Sequence, residues 1–366
     1  MSNPRTHATR TSLAVVVGAL TLVAAACGSP SGNAAGSNLK NSGTSSTTAS
    51  SAPVDLRLGY FPNVTHGAAL VGLEGGFFEK KLASNVTLKP QSFNAGPDVV
   101  TALFGGSLDA SFIGPGPSIS AFQKSNGDAV RIVSGAASGG AFLVVKPSIT
   151  KPADLQGKKI ASPQLGNTQD IALRSWLKSK GFATDTNGGG DVSVVPQDNA
   201  LTLTAFEQGQ IDGAWVPEPW ATRLVKEGGG KVLVDEAGLW PNGRYVTTDL
   251  IVTTKFLNAH PDVVKGLIEG ELAAIQYTKT NRAQAEKYVA TGIQTATGKA
   301  ISPDLVTASF DSITFTPDPV ATSLVKNAQE SKALGFTTSA DVKGIYDLSI
   351  LNGILKAEDK PTYQGA

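Results

Sequence analysis

Apolar and polar residues alternate over residues 54–60 (VDLRLGY), and this period of two predicts a β-strand. Asn63 and the proline before it end the strand. Thr65 can cap a short helix over residues 68–73, which Gly75 ends. The start of the helix is therefore turned back over the end of the strand. Its free N–H groups and partial positive charge suit an anion.

The same alternation of strands and helices continues to about residue 253. Strands are predicted at 86–91, 108–113, 130–133, 142–145, up to 160, 192–195, 211–216, 232–235 and 245–253. Helices are predicted at 97–104, from 118, at 168–180 and 201–208, with a loop at 134–140. From residue 256 the pattern is helical almost to the end, at 261–279, 281–291, 303–311 and 318–334. This order predicts an α/β architecture.

An internal repeat divides the α/β part into two similar units. Residues 102–117 (ALFGGSLDASFIGPGP) align without gaps on residues 205–220 (AFEQGQIDGAWVPEPW) at an offset of 103 residues. Each copy predicts the end of a helix, a turn with an aspartate, a short strand and a turn containing proline. We expect Asp109 and Asp212 to accept hydrogen bonds from turn amides and Trp215 to lie in the core. Because ligand sites lie at the carboxyl ends of strands in open α/β sheets, the repeat favours two lobes that share a cleft.

The N-terminal segment predicts export and lipidation. Residues 1–26 carry two arginines before a short apolar run that ends in small residues, which is typical of a signal peptide. Cys27, the only cysteine, follows directly and resembles the lipidated cysteine of a bacterial lipobox. Residues 27–53 are rich in Ser, Gly and Thr and predict a flexible tether. The protein is therefore expected on the outer face of the cell membrane, held by its lipid.

Composition and motifs argue against several classes of function. The formal net charge is +1, so nucleic acid is not an expected partner. The three histidines are scattered, and the chain has no P-loop, no G-x-S-x-G and no metal-ligand spacing. We expect no enzyme activity, no cofactor and no metal.

Four segments in order carry a family resemblance: LGYFPNVTHGAALVGLEGGFFEKKL, FNAGPDVVTALFGGSLDASFIGPGP, SITKPADLQGKKIASPQLGNTQDIALRSWL and AFEQGQIDGAWVPEPWATRLVKEGG. With them the chain resembles the extracytoplasmic solute-binding proteins of ABC importers, in the nitrate/sulfonate/taurine group. The resemblance implies a two-lobed periplasmic-binding-protein fold of type II, with lobe I at 54–145, lobe II at 146–244 and a return to lobe I at 245–366. It implies a monomer that delivers a small organic anion, with an aliphatic sulfonate favoured, to the transmembrane subunits of a permease.

The expected ligand site combines helix starts with a few side chains. The first helix start contributes Asn63, Thr65 and His66, the second Gly116 and Ser118, and the third Asn167, Thr168 and Gln169. Ser138 and Gly139 are expected as further donors. In the family-like arrangement Glu218 and Trp220 close the opposite wall, and because Glu218 repels an anion, it needs a partner such as Arg223 or Arg244. The hydroxyl and amide side chains are equally suited to capping their own helices, and His66 to a structural hydrogen bond.

Other ligands and one other class of protein stay open at this point. Taurine-type members of the family carry a Ser-rich turn where this chain has Gly114-Pro115-Gly116-Pro117. Taurine, nitrate, bicarbonate and a pyrimidine precursor of thiamine are the alternative ligands, and Glu218 and Trp220 would suit a pyrimidine better than a sulfonate. The different class is a ligand-sensing lipoprotein or an extracytoplasmic enzyme without a permease.

Overall fold

The computed structural model describes residues 52–366. The predicted signal peptide (1–26), Cys27 and the tether up to residue 51 lie outside the described residues. Within 52–366, two separate β-sheets are each flanked by helices. No helix in this range is both long and apolar enough to span a bilayer.

The first sheet has six strands in the order β11-β4-β10-β3-β1-β2. β1 is parallel to β2 and β3, whereas β10 is antiparallel to β3 and β4. Its strands are β1 (Val54–Tyr60), β2 (Val86–Ser92), β3 (Ala110–Ile113), β4 (Val130–Gly139), β10 (Val246–Thr253) and β11 (Ile313–Phe315).

The second sheet has five strands in the order β7-β6-β8-β5-β9. β6 is parallel to β7 and β8, and β5 is antiparallel to β8. Its strands are β5 (Ala141–Val145), β6 (Lys159–Ser162), β7 (Ser193–Pro196), β8 (Gly213–Pro217) and β9 (Lys231–Asp235).

Twelve α-helices within the described range cover these sheets. They are α1 (Gly67–Glu74), α2 (Gly96–Phe104), α3 (Pro115–Lys124), α4 (Thr168–Ser179), α5 (Asn199–Glu207), α6 (Trp220–Lys226), α7 (Thr254–Ala259), α8 (Pro261–Thr280), α9 (Arg282–Thr297), α10 (Pro303–Phe310), α11 (Ala321–Ala333) and α12 (Ser349–Ala357). Apolar side chains form one cluster on each face of each sheet. Trp215 on β8 is fully buried, as predicted.

The two sheets repeat one topology, as the internal repeat predicts. α2 and α5 coincide at the offset of 103 residues, and the strands that follow them, β3 and β8, occupy equivalent inner positions. Asp109 accepts from the backbone N–H of Arg57 (3.0 Å), and Asp212 accepts from that of Lys159 (2.9 Å), so each aspartate bonds an amide of the neighbouring strand, β1 or β6, and not an amide of its own turn as predicted. The duplication brings the carboxyl ends of β1, β2 and β3 to face those of β6, β7 and β8.

The chain passes from the first sheet to the second at Gly139 and Gly140. The predicted loop at 134–140 is wrong, because β4 runs as a strand through Gly139. Both glycines have positive φ (88° and 76°), a backbone region that suits glycine and allows the sharp change of direction between β4 and β5. Residues 141–145, which the prediction places in lobe I, pair with β8 and β9 in the second sheet. The boundaries of the lobes as moving bodies stay a prediction.

Tyr245 makes two contacts close to the points where the chain crosses between the sheets. The Tyr245 hydroxyl on the returning segment accepts from the N–H of Ala141 on the outgoing one (3.1 Å). The ring of Tyr245 stacks on Trp240, with centroids 5.7 Å apart and planes at 11°. Helix α11 contacts both α3 and α4, so it packs against elements of both sheets.

Candidate functional site

A small polar cavity lies where the carboxyl ends of the parallel strands of the two sheets meet. Its volume is about 20 Å³, room for about one water molecule. Segments of the first sheet contribute Phe61, Asn63, Thr65, His66, Asn94, Gly114 and Thr247. Segments of the second contribute Asn167, Thr168, Gln169, Asn199 and Pro217.

A larger groove of about 720 Å³ lies at the opposite end of β1 and β3. Arg57 and Asp109 line it, but they are paired with each other, Arg57 Nε donating to Asp109 Oδ2 at 2.8 Å. Ligands of open α/β sheets bind at the carboxyl ends of strands. The small cavity is therefore the candidate site.

Helix starts surround the cavity. The turn that leads into α1 provides Thr65 and His66, and Gly114 is the N-cap of α3. Asn167 is the N-cap of α4, and Asn199 is the first residue of α5. Each start carries N–H groups without an intrahelical acceptor and a partial positive charge. Among the described residues, none of the lining side chains is an acid, a lysine or an arginine, so the site can hold an anion through neutral donors.

His66 acts as a neutral donor in this wall. Burial lowers the pKa of His66 to about 3, so the imidazole is uncharged near neutral pH. Its Nδ1 accepts from the backbone N–H of Phe61 (3.2 Å), and the two rings lie 4.3 Å apart. The remaining ring nitrogen, Nε2, therefore carries the proton. His66 has the structural hydrogen bond considered in the sequence analysis and also lines the cavity.

A buried ion pair holds the start of α4. Asp170 and Arg174 are 0% and 2% exposed, and Arg174 Nε donates to Asp170 Oδ1 at 3.0 Å. Asp170 also accepts from the hydroxyl of Ser162 (2.6 Å) and from the N–H of Gly166 (2.9 Å). The carboxylate thus fixes the loop that places Asn167, Thr168 and Gln169 at the cavity.

Six of the twelve predicted ligand residues line the cavity and are buried: Asn63, Thr65, His66, Asn167, Thr168 and Gln169. Some of them also join the two sheets. Thr168 Oγ1 accepts from the N–H of Gly116 at 3.3 Å, so Gly116 contacts the site through Thr168.

Ser118, Ser138 and Gly139 lie outside the cavity wall. The Ser118 hydroxyl donates to the carbonyl of Gly114 (3.0 Å), one turn back in α3. Ser138 Oγ accepts from the N–H of Tyr245 (3.2 Å), and the carbonyl of Gly139 accepts from Thr247 Oγ1 (2.6 Å). The structure therefore uses these groups to close a helix turn and to join the two crossings.

Glu218 and Trp220 also lie outside the wall, where they join the two sheets. Glu218 accepts from Thr222 Oγ1 (2.8 Å) on α6 and from Ser309 Oγ (3.1 Å) on α10. Trp220 Nε1 donates to Asn63 Oδ1 at 2.9 Å. Burial raises the pKa of Glu218, and the hydrogen bonds from Thr222 and Ser309 lower it in part.

The predicted arginine partners of Glu218 are wrong. Arg223 pairs with Glu227 at 2.8 Å, and Arg244 pairs with Asp318. The hydroxyl groups of Thr222 and Ser309 stabilise the buried carboxylate instead. Ser309 lies on a distant helix, so no local pattern in the sequence indicates this contact.

Trp220→Phe is expected to weaken binding of every ligand of the site by the same factor, roughly three- to tenfold. The change keeps an aromatic ring and removes a hydrogen bond between the two sheets, which is worth about 0.5–1.5 kcal/mol. Titration calorimetry with two unrelated ligands measures both factors. A selective loss for one ligand would instead place the indole against that ligand.

Six lining residues were not predicted: Phe61, Asn94, Gly114, Asn199, Pro217 and Thr247. Gly114 and Pro217 are equivalent in the repeat, so the repeat could have identified both. It could also have identified Asn199, because α2 starts at Gly96, 103 residues earlier. Thr247 had no such signal, because it lies on the antiparallel strand that returns from the second sheet.

Comparison with known proteins places this geometry in a family. The model of the NMT1-like family matches residues 49–294. The chain belongs to the NMT1-like family. The match includes the whole of the second sheet and all lining residues of the cavity. The resemblance stated from the sequence motifs is confirmed.

Relatives of this NMT1-like chain include the taurine-binding periplasmic protein of Escherichia coli K12, which is 31% identical over 195 residues, 53% of this chain and 58% of the relative. The chain thus spans less than two thirds of the length of this curated relative. Solved structures with a similar fold include the alkanesulfonate-binding protein SsuA of Xanthomonas axonopodis pv. citri bound to MOPS (TM-score 0.66, 20% identity, 81% of this chain and 99% of that one). The nitrate-binding protein NrtA of Synechocystis PCC 6803 has a TM-score of 0.68 at 15% identity, covering 84% of this chain and 90% of that one. The predicted periplasmic-binding-protein fold is confirmed.

Proposed function

We propose that this protein is the solute-binding protein of an ABC importer and that it captures a small organic anion, an aliphatic sulfonate, for delivery to the transmembrane subunits of a permease. The observation that carries the proposal is the small cavity without charged side chains that is surrounded by the starts of α1, α3, α4 and α5. Four helix starts supply the N–H groups and partial positive charge that an oxyanion needs. A relative that binds taurine, and proteins of similar fold that bind an alkanesulfonate and nitrate, support the same class of ligand.

We also propose that Cys27 carries the lipid that holds the protein on the outer face of the cell membrane, as a monomer. The position of Cys27 directly after the apolar segment supports this. Binding and release without chemistry are the whole role of the site in this proposal, since its wall offers hydrogen-bond donors but no charged acid or base.

The cavity volume favours a second candidate within the same class. At about 20 Å³ the cavity has room for little more than one water, and nitrate and bicarbonate are smaller than any sulfonate. A sulfonate would therefore need a wider separation of the two sheets than this structure shows.

A thermal-shift panel of alkanesulfonates, taurine, nitrate, bicarbonate and pyrimidines tests the function. A ligand at one hundred times its Kd adds about 2.7 kcal/mol to the free energy of unfolding. The proposal expects stabilisation by sulfonates. Stabilisation by a pyrimidine alone, or by none of these compounds, would contradict it. A deletion strain that still takes up the identified ligand would favour a sensing lipoprotein.

Thr168→Val is expected to lower the affinity for the identified anion about tenfold. The change keeps the shape of the side chain and removes a hydroxyl that lines the cavity and accepts from the N–H of Gly116. One hydrogen bond to a charged ligand is worth about 1.5–3 kcal/mol. Thr278→Val is the matched control, because Thr278 is also a buried helical threonine whose hydroxyl bonds a backbone carbonyl, that of Ile275. Equal affinities of the two variants, measured by calorimetry, would exclude Thr168 from the site.

A further inference from the structure

A glutamine side chain bridges two carboxylates at the rim of the cavity. Gln164 lies in the loop between β6 and α4, shortly before Asn167 of the cavity wall. Its Nε2 donates to Asp98 Oδ2 at 3.0 Å and to Asp198 Oδ1 at 3.4 Å. Asp98 lies in the first turn of α2, beside the first sheet, and Asp198 is the N-cap of α5, beside the second. One amide group therefore connects the two sides of the wall.

A second hydrogen bond crosses the rim in the opposite sense. Asn94 follows β2 of the first sheet and lines the cavity, and its Nδ2 donates to Asp198 Oδ2 at 3.4 Å. Each sheet thus supplies one amide donor and one carboxylate acceptor. We call the four residues Asn94, Asp98, Gln164 and Asp198 the rim clasp. Its two crossing hydrogen bonds require the sheets to lie as close together as they do here, because each joins segments that follow strands of different sheets.

The two acids of the rim clasp have no cation to pair with. Across the described part of the chain, neither Asp98 nor Asp198 takes part in an ion pair. Two carboxylates brought together from opposite sides of the cavity repel each other. An amide that donates to a carboxylate forms a charge-assisted hydrogen bond, which is stronger than one between neutral groups. The electrostatic balance at the rim therefore depends on the side chain at position 164.

The backbone at Gln164 has a conformation that favours glycine. Its φ is 39°, in the left-handed region, which a residue with a Cβ adopts only at a cost. The nearby Gly166 has a φ of 73° and takes the same region without that cost. Strained residues of this kind are found at ligand clamps, where the surrounding structure holds them in place. The cost at position 164 is therefore consistent with a role for its side chain.

We propose that Gln164 is a positioning residue for ligand retention, which holds the cavity shut through the rim clasp without contacting the ligand. Gln164 is not part of the cavity wall, so its effect on the ligand passes through the contact between the two sheets. Ligand release requires the crossing hydrogen bonds to break, whereas ligand entry precedes their formation. This inference rests on the proposed function, because it presupposes a ligand that enters and leaves between the sheets.

The first test removes the amide donor and measures both rate constants of binding. Gln164→Met keeps the length of the side chain and removes the donor. Taurine, propane-1-sulfonate and nitrate are the probes, in stopped-flow measurements of tryptophan fluorescence on the purified protein. Dissociation of each probe that binds is expected to become about fivefold faster, the effect of losing one ordinary hydrogen bond. The association rate constant is expected to stay unchanged, and the factor is expected to be the same for every probe.

Gln156→Met is the matched control. Gln156 Nε2 donates to Asp191 Oδ1 at 3.2 Å, and both residues belong to segments of the second sheet that lie outside the cavity wall. An unchanged dissociation rate in Gln164→Met, or an equal rise in the control, overturns the inference while the proposed function stands. If the parent protein binds none of the three probes, the proposed function itself fails, and the inference fails with it.

A charge series at position 164 gives a readout that a merely structural role would not produce. The side chains in Gln164→Lys, Gln164→Met and Gln164→Glu are unbranched and similar in length to that of the parent. Gln164→Lys places a cation between Asp98 and Asp198, and Gln164→Glu adds a third carboxylate. Dissociation is therefore expected to be slowest in Gln164→Lys, then faster in the parent, in Gln164→Met and in Gln164→Glu. The spread is expected to shrink at about 1 M NaCl, which screens exposed charges. A different order, or no salt dependence, overturns the inference.

Gln164→Gly shows that the effect does not come from a damaged fold. Glycine adopts a φ of 39° without strain, so urea unfolding of the ligand-free variant is expected to show no loss of stability. Its dissociation rate is nevertheless expected to match that of Gln164→Met. Dissociation at the parent's rate from this folded variant would show that ligand retention needs no side chain at position 164, which contradicts the proposal.

Discussion

Asp170→Asn is expected to lower the free energy of unfolding by about 3–5 kcal/mol, because it leaves the buried guanidinium of Arg174 without its counter-charge. Arg174 is 2% exposed, and its second donor, Nη1, reaches only the carbonyl of Asp185 (2.5 Å). The same change weakens the acceptor for the N–H of Gly166, so ligand affinity is also expected to fall. Urea denaturation followed by circular dichroism measures the loss of stability.

A pair with the same spacing on the surface is the control for this prediction. Arg223 and Glu227 are also four residues apart on a helix, but their side chains are 30% and 35% exposed. Glu227→Gln is therefore expected to cost at most about 1 kcal/mol. The double variant Asp170→Asn, Arg174→Met removes the unpaired charge and is expected to regain much of the stability. Equal losses in Asp170→Asn and Glu227→Gln would contradict the role given to the buried pair.

Glu271→Gln is expected to stabilise the protein at alkaline pH. Glu271 on α8 and Asp249 on β10 are fully buried, and neither carboxyl takes part in an ion pair among the described residues. Burial raises the pKa of Glu271 from 4.5 to about 8. Burial and the nearby Glu271 raise that of Asp249 well above its ordinary value. Between about pH 4.5 and pH 8, the native state thus binds more protons than the unfolded state.

The direction of the pH effect follows from that difference. The stabilising contribution of protonated Glu271 is fully present below pH 4.5 and is lost as the pH rises to about 8. The slope is up to about 1.4 kcal/mol per pH unit, and glutamine, which does not titrate, removes it. Urea denaturation at about pH 5 and about pH 9 should show a flatter profile for Glu271→Gln than for the parent protein.

Glu269→Gln is the matched control for this second prediction. Glu269 lies on the same helix, two residues away, and pairs with Lys265 at 3.7 Å near the surface. Its replacement is expected to leave the pH profile unchanged. If Glu271→Gln keeps the full slope of the parent protein, the buried carboxyl is not its source.

Local pattern was enough to predict much of this fold. The alternation at 54–60 and the glycines that follow the predicted helices gave β1, α2 and α5 close to their observed bounds. The internal repeat gave the matched sheets, because equivalent helix ends and strands recur at one offset. Half of the predicted ligand residues line the cavity, and these are the ones that follow the carboxyl ends of β1 and β6.

The misses depend on contacts between distant parts of the chain. Residues 134–139 have the small-residue composition of a loop but form a strand that packs against a distant segment, since a Cβ on Gly135 would lie 2.3 Å from the carbonyl oxygen of Asp318. Glu218 looked like a ligand residue because its partner, Ser309, is 91 residues away. Asn199 lines the cavity with an Oδ1 that has no hydrogen-bond partner among the described residues, and only the packed structure shows that such an atom is left without a donor.

The duplicated topology has a consequence for how such a protein can diversify. Gly114 and Pro217 occupy the same place in the two copies, and both line the cavity. Each copy has its own core and supplies one side of the wall, but a Cβ on Gly114 would lie 2.3 Å from Thr168 Oγ1 on the opposite side. A larger residue at this point of the first copy therefore requires a compensating change in the second, which ties the evolution of the two sides together.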